Sequence, residues 1–260
     1  MRYPNYMYRI LVIALLIGII PVIIVGFISY WIASKDIEDQ VKQANIQLLK
    51  QNQLRVEQIV MNLEASALQY AGSSLVHEAL RGELSYRDYR QIWDLSKGLY
   101  NLQASDGIKE AYLIHFEDNW VLRNSGFYGL DHYEHAQSLR TITSQSPKKM
   151  FWLFTHNPLS PDTVNLIVKL PLYGNTSQAE GILVIEMFKN ELFRSLLEEQ
   201  SGHALVFDHA LQAILEDPLQ RSAEIEELLP TLSSGQGFIS VPMNGQDWGV
   251  AYIRSGDNDL

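Results

Sequence analysis

The feature that most constrains this chain is a run of residues without charge near the N-terminus, from 10 to 34. The hydrocarbon core of a bilayer requires about 20 apolar residues in one helix, and this run exceeds that length. Pro21 is compatible with such a helix, because a backbone in lipid has strong reasons to stay helical. The run therefore predicts a transmembrane helix over residues 10–33.

Charged residues next to the run predict its orientation. Arg2 and Arg9 precede it without any acidic residue, whereas lysines are mixed with acidic residues after Ser34. Because basic residues favour the cytoplasmic side, we expect residues 1–9 to form a cytoplasmic tail. The chain would then be a single-pass protein of the cell membrane, with the lipid bilayer as a partner and its bulk outside the cell.

A cleaved secretory signal and a buried core helix are the alternatives for this run. The apolar region of a signal peptide spans about 7–15 residues and ends at a small-x-small cleavage site. Here the apolar region is longer, and the sequence WIASKD at residues 31–36 is a poor site. An uncleaved anchor is the interpretation that the sequence favours.

Composition excludes several classes of function. The chain has 260 residues, of which 20 are basic and 30 acidic, and it has no cysteine. An acidic balance offers no broad surface for phosphate groups, so we expect no direct contact with nucleic acid. A sequence without cysteine forms no disulfide, performs no thiolate catalysis and holds no cysteine-ligated metal.

No motif in the sequence predicts catalysis. A Gly-rich phosphate loop, a G-x-S-x-G nucleophile elbow and an H-E-x-x-H zinc motif are all missing. His132 and His135 have the spacing of two metal ligands on one helix face, but we interpret them as part of a solvated polar turn. We therefore expect neither an enzyme nor a resident metal or cofactor.

Helix-forming residues after the apolar run predict one long amphipathic helix over residues 34–80. This segment has no Pro and no Gly before Gly72, and it is rich in Gln, Leu, Ala, Lys and Glu. Apolar residues recur every three or four positions, with a phase shift midway. They are Ile37, Val41, Ala44, Leu48, Val56, Ile59, Leu63 and Tyr70. We expect the later half to pack on its own domain and the half near the membrane to suit a homodimer.

The sequence pattern of residues 81–190 predicts an α+β domain. A helix over 86–102 is followed by strand periodicity, and a short helix over 133–142 interrupts the strands. The five expected strands are 109–116, 120–123, 150–156, 164–173 and 180–188. Gly126 and Gly129 are interpreted as part of a loop. Five strands with helices before and between them predict an antiparallel sheet.

Residues 191–260 predict a second, smaller domain with a similar order of elements. The expected elements are a connecting helix at 191–200, strands at 203–208 and 211–217, a helix at 225–232, and strands at 237–243 and 247–255. Asn244-Gly245 between the last two strands is a strong hairpin signal. The sequence ends one strand short of closing this sheet, which we interpret as a position close to a truncation point.

Three stretches and the order of the elements carry a resemblance to a known family. The stretches are RILVIALLIGIIPVIIVGFISYW, EGILVIEMFKNELFRSLL and GFISVPMNGQDWGVAYIRSG. This pattern resembles the double Cache sensor region of bacterial transmembrane receptors, most of all AraC-type transmembrane transcriptional regulators and sensor histidine kinases of Gram-positive bacteria. The resemblance implies an α+β fold: a transmembrane helix that continues into a long helix, then two PAS-like antiparallel-sheet (Cache) domains, the second incomplete.

The resemblance also implies a function. Such a region binds a small extracellular solute and passes a conformational change to a cytoplasmic transcriptional or kinase output, which this sequence does not contain. In Cache domains the ligand lies between the sheet of the membrane-distal domain and the helix and loop that cover it. Carried over to this sequence, that position predicts ligand-binding residues Tyr112, Trp120, Arg123, Tyr133, Trp152, Phe154 and Lys169.

Arg123 and Trp152 are the first choices among these residues. Arg forms planar bidentate hydrogen bonds with a carboxylate, and Trp offers a flat apolar wall. The alternative is that the aromatic side chains only pack the sheet onto its helices. The domain would then be an interaction module that contacts another envelope protein without a small-molecule pocket.

Overall fold

The described part of the chain divides into two compact units. In this computed structural model, one unit contains the chain up to Lys50 together with a C-terminal hairpin, and the other starts at Gln51 and contains a large sheet. The residues that the structure describes are 4–82, 84–155, 157–173, 179–197, 204–208, 212–215, 232, 235–243 and 246–254.

Helix α1, Pro4–Ala71, is a single α-helix that contains the whole run without charge. Its length and composition are sufficient to cross a membrane. The apolar side chains of this part are exposed, with 71% of Phe27 and 68% of Ile17 accessible. The expected continuation of the apolar run into a long helix is confirmed.

The prediction of one helix up to residue 80 is wrong about its end, because the chain turns after Ala71. Gly72 interrupts the helix, and the hydroxyl of Ser73 accepts a hydrogen bond from the N–H of Val76 at 3.4 Å. Ser is a preferred N-cap residue, and Gly is a poor helix former, so a new helix starts here. This helix, α2, is Ser74–Arg81.

The later half of α1 packs on its own domain, as expected. Val56 and Leu63 are buried, and the hydroxyl of Tyr70 donates to the carbonyl oxygen of Leu95 in α3, Tyr89–Gln103, at 2.8 Å. The half next to the run without charge is different, since Ile37 is 61% exposed. The apolar stripe of α1 is thus buried only where a sheet domain is available.

Six antiparallel strands form the large sheet, in the order β3-β2-β1-β6-β5-β4. They are β1 Ile108–His115, β2 Trp120–Arg123, β3 Gly126–Gly129, β4 Met150–Leu153, β5 Thr163–Leu170 and β6 Gly181–Phe188. The expected count of five is wrong, because the segment from Gly126 to Gly129 pairs with β2 instead of forming a loop. Its Phe127 ring lies 5.6 Å from the ring of Trp120, which holds this edge strand on the sheet.

The two faces of the sheet are covered by different helices. The first face packs against α1, α2 and α3, and we call it the α1 face. Its central side chains are Leu113, Leu122, Leu166, Val168, Leu183 and Ile185. The opposite face packs against Leu139 of α4, Ala136–Gln145, and we call it the α4 face. Its central side chains are Tyr112, Ile114, Ile167, Ile182 and Val184.

After the large sheet, the chain forms short helices and two hairpins. The elements are α5 Lys189–Leu192, α6 Arg194–Leu197, β7 Val206–Phe207, β8 Ala213–Leu215, β9 Gln236–Met243 and β10 Gln246–Ile253. The four strands expected here are present, but in the described residues they form two separate two-stranded sheets. The turn at Asn244-Gly245 and almost all of the helix expected at 225–232 lie outside the described residues.

Candidate ligand-binding site

The α4 face becomes polar where β1 starts and β6 ends. Glu110 of β1 pairs with Glu186 of β6, which pairs in turn with Asn165 of β5. Because side chains alternate along a strand, these three residues share the face of Tyr112. Glu186 is 5% exposed and Asn165 is fully buried. Burial of a carboxylate is costly unless it is paired and hydrogen-bonded, so its partners define the site.

Glu186 is held by a chain of hydrogen bonds. Tyr133 donates its hydroxyl to the hydroxyl of Tyr112 at 2.8 Å, and Tyr112 donates to Oε1 of Glu186 at 3.1 Å. Lys109 donates its ammonium to Oε2 of Glu186 at 3.2 Å. Burial raises the pKa of Tyr112 well above its usual value, and burial also raises the pKa of Tyr133 to about 12. Both phenols are therefore neutral donors at physiological pH.

Arg123 lies against the same tyrosines. Its Nε donates to Oε1 of Glu110 at 2.7 Å, and its Nη2 donates to Oε2, so the ion pair is bidentate. The guanidinium carbon is 5.6 Å from the ring centre of Tyr112 and 5.7 Å from that of Tyr133. The hydrogen bond to Glu110 raises the pKa of Arg123 above its already high value. This cation is permanently charged and fixed in position.

The residues Glu110, Tyr112, Arg123, Tyr133 and Glu186, which we call the Tyr112 cluster, keep unused hydrogen-bonding capacity. A guanidinium has five N–H donors, and Glu110 takes two of them in Arg123. A carboxylate has about four lone-pair sites, and Glu186 receives two donors. The buried Oδ1 of Asn165, beside Glu186, has no hydrogen-bond partner among the described residues. The cluster thus offers donors for a carboxylate and acceptors for an ammonium.

Three of the seven predicted site residues lie in this cluster: Tyr112, Arg123 and Tyr133. Lys169 lies further along the α4 face, where it pairs with Ile182 and donates its ammonium to the carbonyl oxygen of Ser146 at 2.5 Å. Burial lowers the pKa of Lys169.

The other three predicted residues lie on the α1 face, against the helices. Trp152 stacks on Phe154 with ring centres 5.6 Å apart and donates its indole N–H to Oε1 of Glu64 in α1 at 2.8 Å. Trp120 stacks on His115 at 5.4 Å. The expectation that Arg123 and Trp152 share one pocket is therefore corrected: a strand's side chains alternate between faces, and these two residues are on opposite sides of the sheet.

Sequence reasoning missed the acidic half of the cluster, Glu110 and Glu186, and the amide of Asn165. A signal for Glu186 was present, because it is the one charged residue inside the apolar strand GILVIEMF. A carboxylate in such a strand needs a specific partner. Glu110 offered no comparable signal, since it lies beside the exposed start of β1.

Comparison with known proteins assigns the fold. No protein-family model matches the chain. An uncharacterized HTH-type transcriptional regulator of Bacillus subtilis, YtdP, is 26% identical over 194 residues, which is 70% of this chain and 25% of the regulator. The chain thus spans about a quarter of the length of this curated relative.

Solved structures of chemoreceptor sensory domains match most of the chain. The sensory domain of the Campylobacter jejuni chemoreceptor Tlp3 (CcmL) has a TM-score of 0.55 and 13% identity, covering 78% of this chain and 84% of that domain. The Tlp3 ligand-binding domain in complex with L-norvaline has a TM-score of 0.54 and 14% identity, covering 78% and 81%. This chain therefore has the fold of the Cache-type sensory domains of chemoreceptors.

Proposed function

We propose that this chain is the membrane-anchored sensor region of a bacterial signal-transduction receptor and that it binds a small amino acid at the Tyr112 cluster. The observation that carries the proposal is the combination of a fixed guanidinium, Arg123, with a buried carboxylate, Glu186, on the covered α4 face. An α-amino acid carries the two complementary charges. The fold of a receptor domain that binds L-norvaline supports the same class of ligand.

The roles of the cluster residues follow from their chemistry. The N–H groups of Arg123 that do not contact Glu110 bind the ligand carboxylate, because guanidinium and carboxylate geometries match. The carboxylate of Glu186 and the tyrosine rings attract the ligand ammonium, the rings through their negative faces. Tyr112 positions Glu186 by a hydrogen bond at 3.1 Å.

Binding of L-norvaline by the whole chain in lipid nanodiscs tests this proposal. We expect Arg123→Gln to weaken binding at least 10-fold, since a charge-assisted hydrogen bond contributes about 1.5–3 kcal/mol. Arg90→Gln, a change on the exposed side of α3, serves as the matched control and should bind like the wild type. Isothermal titration calorimetry gives the affinities, and circular dichroism checks that each variant is folded. Equal affinities for both variants would contradict binding at the Tyr112 cluster, and no binding of any amino acid by the wild type would favour an interaction module instead.

The anchor and its sidedness belong to the same proposal. The exposed apolar part of α1 spans the bilayer, residues 1–9 lie in the cytoplasm and the sheets lie outside, in accordance with the positions of Arg2 and Arg9. The relative in Bacillus subtilis, a transcriptional regulator, supports a cytoplasmic transcriptional output for the receptor. Because α1 has neither Gly nor Pro between Ala33 and Ala71, it is suited to move as one rigid element.

A second copy of the chain is the partner that fits the exposed side of α1. Ten uncharged residues follow strict alternating steps of three and four, and every one is exposed. They are Ile37, Gln40, Ala44, Gln47, Gln51, Leu54, Gln58, Met61, Ala65 and Leu68. This spacing is that of a coiled-coil seam, and membrane anchors orient two copies in parallel. Six of the ten seam residues are Gln or Ala in place of large apolar residues, so the pairing is weak enough to shift during signalling.

Variants with a single cysteine test both the membrane orientation and the pairing of two copies, because the natural chain has no cysteine. We expect Met61→Cys and Ser66→Cys both to react with a membrane-impermeant maleimide added to intact cells, since both positions are exposed. A short, impermeant bis-maleimide should link two chains through Met61→Cys at least 10 times more than through Ser66→Cys, which is off the seam. Lack of reaction at both sites would contradict the sidedness, and equal cross-linking would contradict the seam.

A further inference from the structure

A cavity of about 360 Å³ lies at the end of the large sheet, on the α1 face and away from the Tyr112 cluster. Its walls come from α1, from the turn between α3 and β1, and from α5 and α6. The lining residues that matter for its chemistry are Arg55, Ile59, Leu63, Asp106, Met187 and Leu192. Arg55 and Ser66, which also lines the cavity, are eleven residues apart on α1, so it extends about 16 Å along the helix at 1.5 Å per residue.

The cavity has an apolar floor and a polar rim. Leu63, Met187 and Leu192 are buried, whereas Arg55 and Asp106 are exposed. Ligand sites commonly have this arrangement, in which apolar side chains hold the body of a molecule and a few polar groups fix its orientation. The floor therefore selects a ligand with an apolar chain.

Charges at the rim define the polar end of such a ligand. Glu191 and Arg194 form an ion pair with each other. Arg55 and Asp106 make no ion pair or hydrogen bond with any other residue that the structure describes, which leaves one cation and one anion available at the rim. The two are more than an ion-pair distance apart. Their charges complement a molecule that carries both a carboxylate and an ammonium.

We propose that this cavity is a second binding site, for an amino acid with an apolar side chain, distinct from the Tyr112 cluster. The carboxylate of the ligand binds Arg55, its ammonium binds Asp106, and its side chain covers Leu63, Met187 and Leu192. An occupant of this site contacts α1 and α5 at once. It therefore stabilises one arrangement of these two helices, and through α1 it biases the element that leads to the membrane.

The test uses the whole chain in nanodiscs with Arg123→Gln present, so that binding at the Tyr112 cluster is weakened, and L-norleucine as the probe. We expect one equivalent of L-norleucine to bind, and Arg55→Gln to weaken that binding at least 10-fold. Hexanoate and hexylamine, which each lack one charge, should bind at least 10-fold more weakly than L-norleucine. Ser66→Trp, which fills the cavity and leaves Arg55 intact, should also abolish binding. Arg90→Gln is the control.

The outcomes separate this proposal from that for the Tyr112 cluster. If the Arg123→Gln chain binds no L-norleucine while the wild type binds one equivalent, the second site is overturned and the first stands. If the wild type binds one equivalent that Arg55→Gln removes and Arg123→Gln retains, the first site fails and the second stands. Hexanoate that binds as tightly as L-norleucine would overturn the role of Asp106.

Discussion

Gly181→Ala is expected to cost the large sheet about 3 kcal/mol or more of its free energy of unfolding, as overpacking of a rigid core does. A Cβ at position 181 would lie 2.4 Å from the carbonyl oxygen of Ile114 and 3.4 Å from the Cα of His115. Both atoms belong to the backbone of β1, so no change of rotamer relieves the overlap. One of the two central strands must move, and Gly181 pairs with His115 in the part of their ladder that is in continuous register, from Glu110 to His115.

Denaturant unfolding of the whole chain in detergent, followed by tryptophan fluorescence, measures this effect. Gly235→Ala is the control, because a Cβ there meets no atom within 4 Å. Its free energy of unfolding should stay within about 0.5 kcal/mol of the wild type. If Gly181→Ala changed the free energy of unfolding as little as Gly235→Ala, β1 and β6 would be further apart in solution than their pairing indicates.

The sequence predicts the strands of the large sheet best where they are long. β5 and β6 are eight-residue runs of mainly apolar residues, and their expected and observed bounds differ by a few residues. β3 was missed because it has four residues, two of them Gly, and Gly normally weakens a strand. Its pairing depends on the contact of Phe127 with Trp120, which the linear sequence does not reveal.

The break in the long helix is also only partly predictable from the sequence. Gly72 and Ser73 carried the signal, since Gly lowers helix propensity and Ser is a good N-cap. Two residues are a weak signal within a long run of helix formers, and the turn is also favoured by packing, because α2 buries Val76, Ala79 and Leu80. Helix propensity alone does not include the free energy of this packing.

The candidate site was only half predictable because it depends on strand register. Alternation along β4 places Phe151 and Trp152 on opposite faces, but both are aromatic, so the sequence does not say which one faces α4. That assignment requires the pairing of Trp152 with Leu166 on β5. The resemblance to Cache domains predicts Tyr112 and Arg123 together with Trp120, although Trp120 lies on the other face of the same hairpin.

Alkaline pH is expected to destabilise the chain steeply, because one buried and two partly buried tyrosines resist ionisation. Burial raises the pKa of Tyr70, and it also raises the pKa values of Tyr112 and Tyr133. In the unfolded chain each phenol has its ordinary pKa of about 10. The folded state then holds more protons than the unfolded state, so the stabilisation is fully present below pH 10 and is lost as pH rises above it.

The slope of the free energy of unfolding against pH depends on the number of tyrosines involved. Above about pH 11 each phenol that stays protonated only in the folded state lowers the free energy of unfolding by about 1.4 kcal/mol per pH unit. Three of them give about 4 kcal/mol per pH unit until the folded pKa values are reached, the lowest being that of Tyr133 at about 12. This change is large compared with the 5–15 kcal/mol of a typical domain.

Tyr70→Phe distinguishes this cause from the general effect of high pH. The variant loses the hydrogen bond to Leu95, which costs about 1 kcal/mol at any pH below 10, but its stability should fall about 1.4 kcal/mol less per pH unit above pH 11. Tyr100→Phe is the control, since Tyr100 is 60% exposed and its slope should match the wild type. Denaturant unfolding at a series of pH values gives the slopes. Equal slopes in all three proteins would show that Tyr70 ionises without unfolding, and the junction of α1 and α3 would then be open to water.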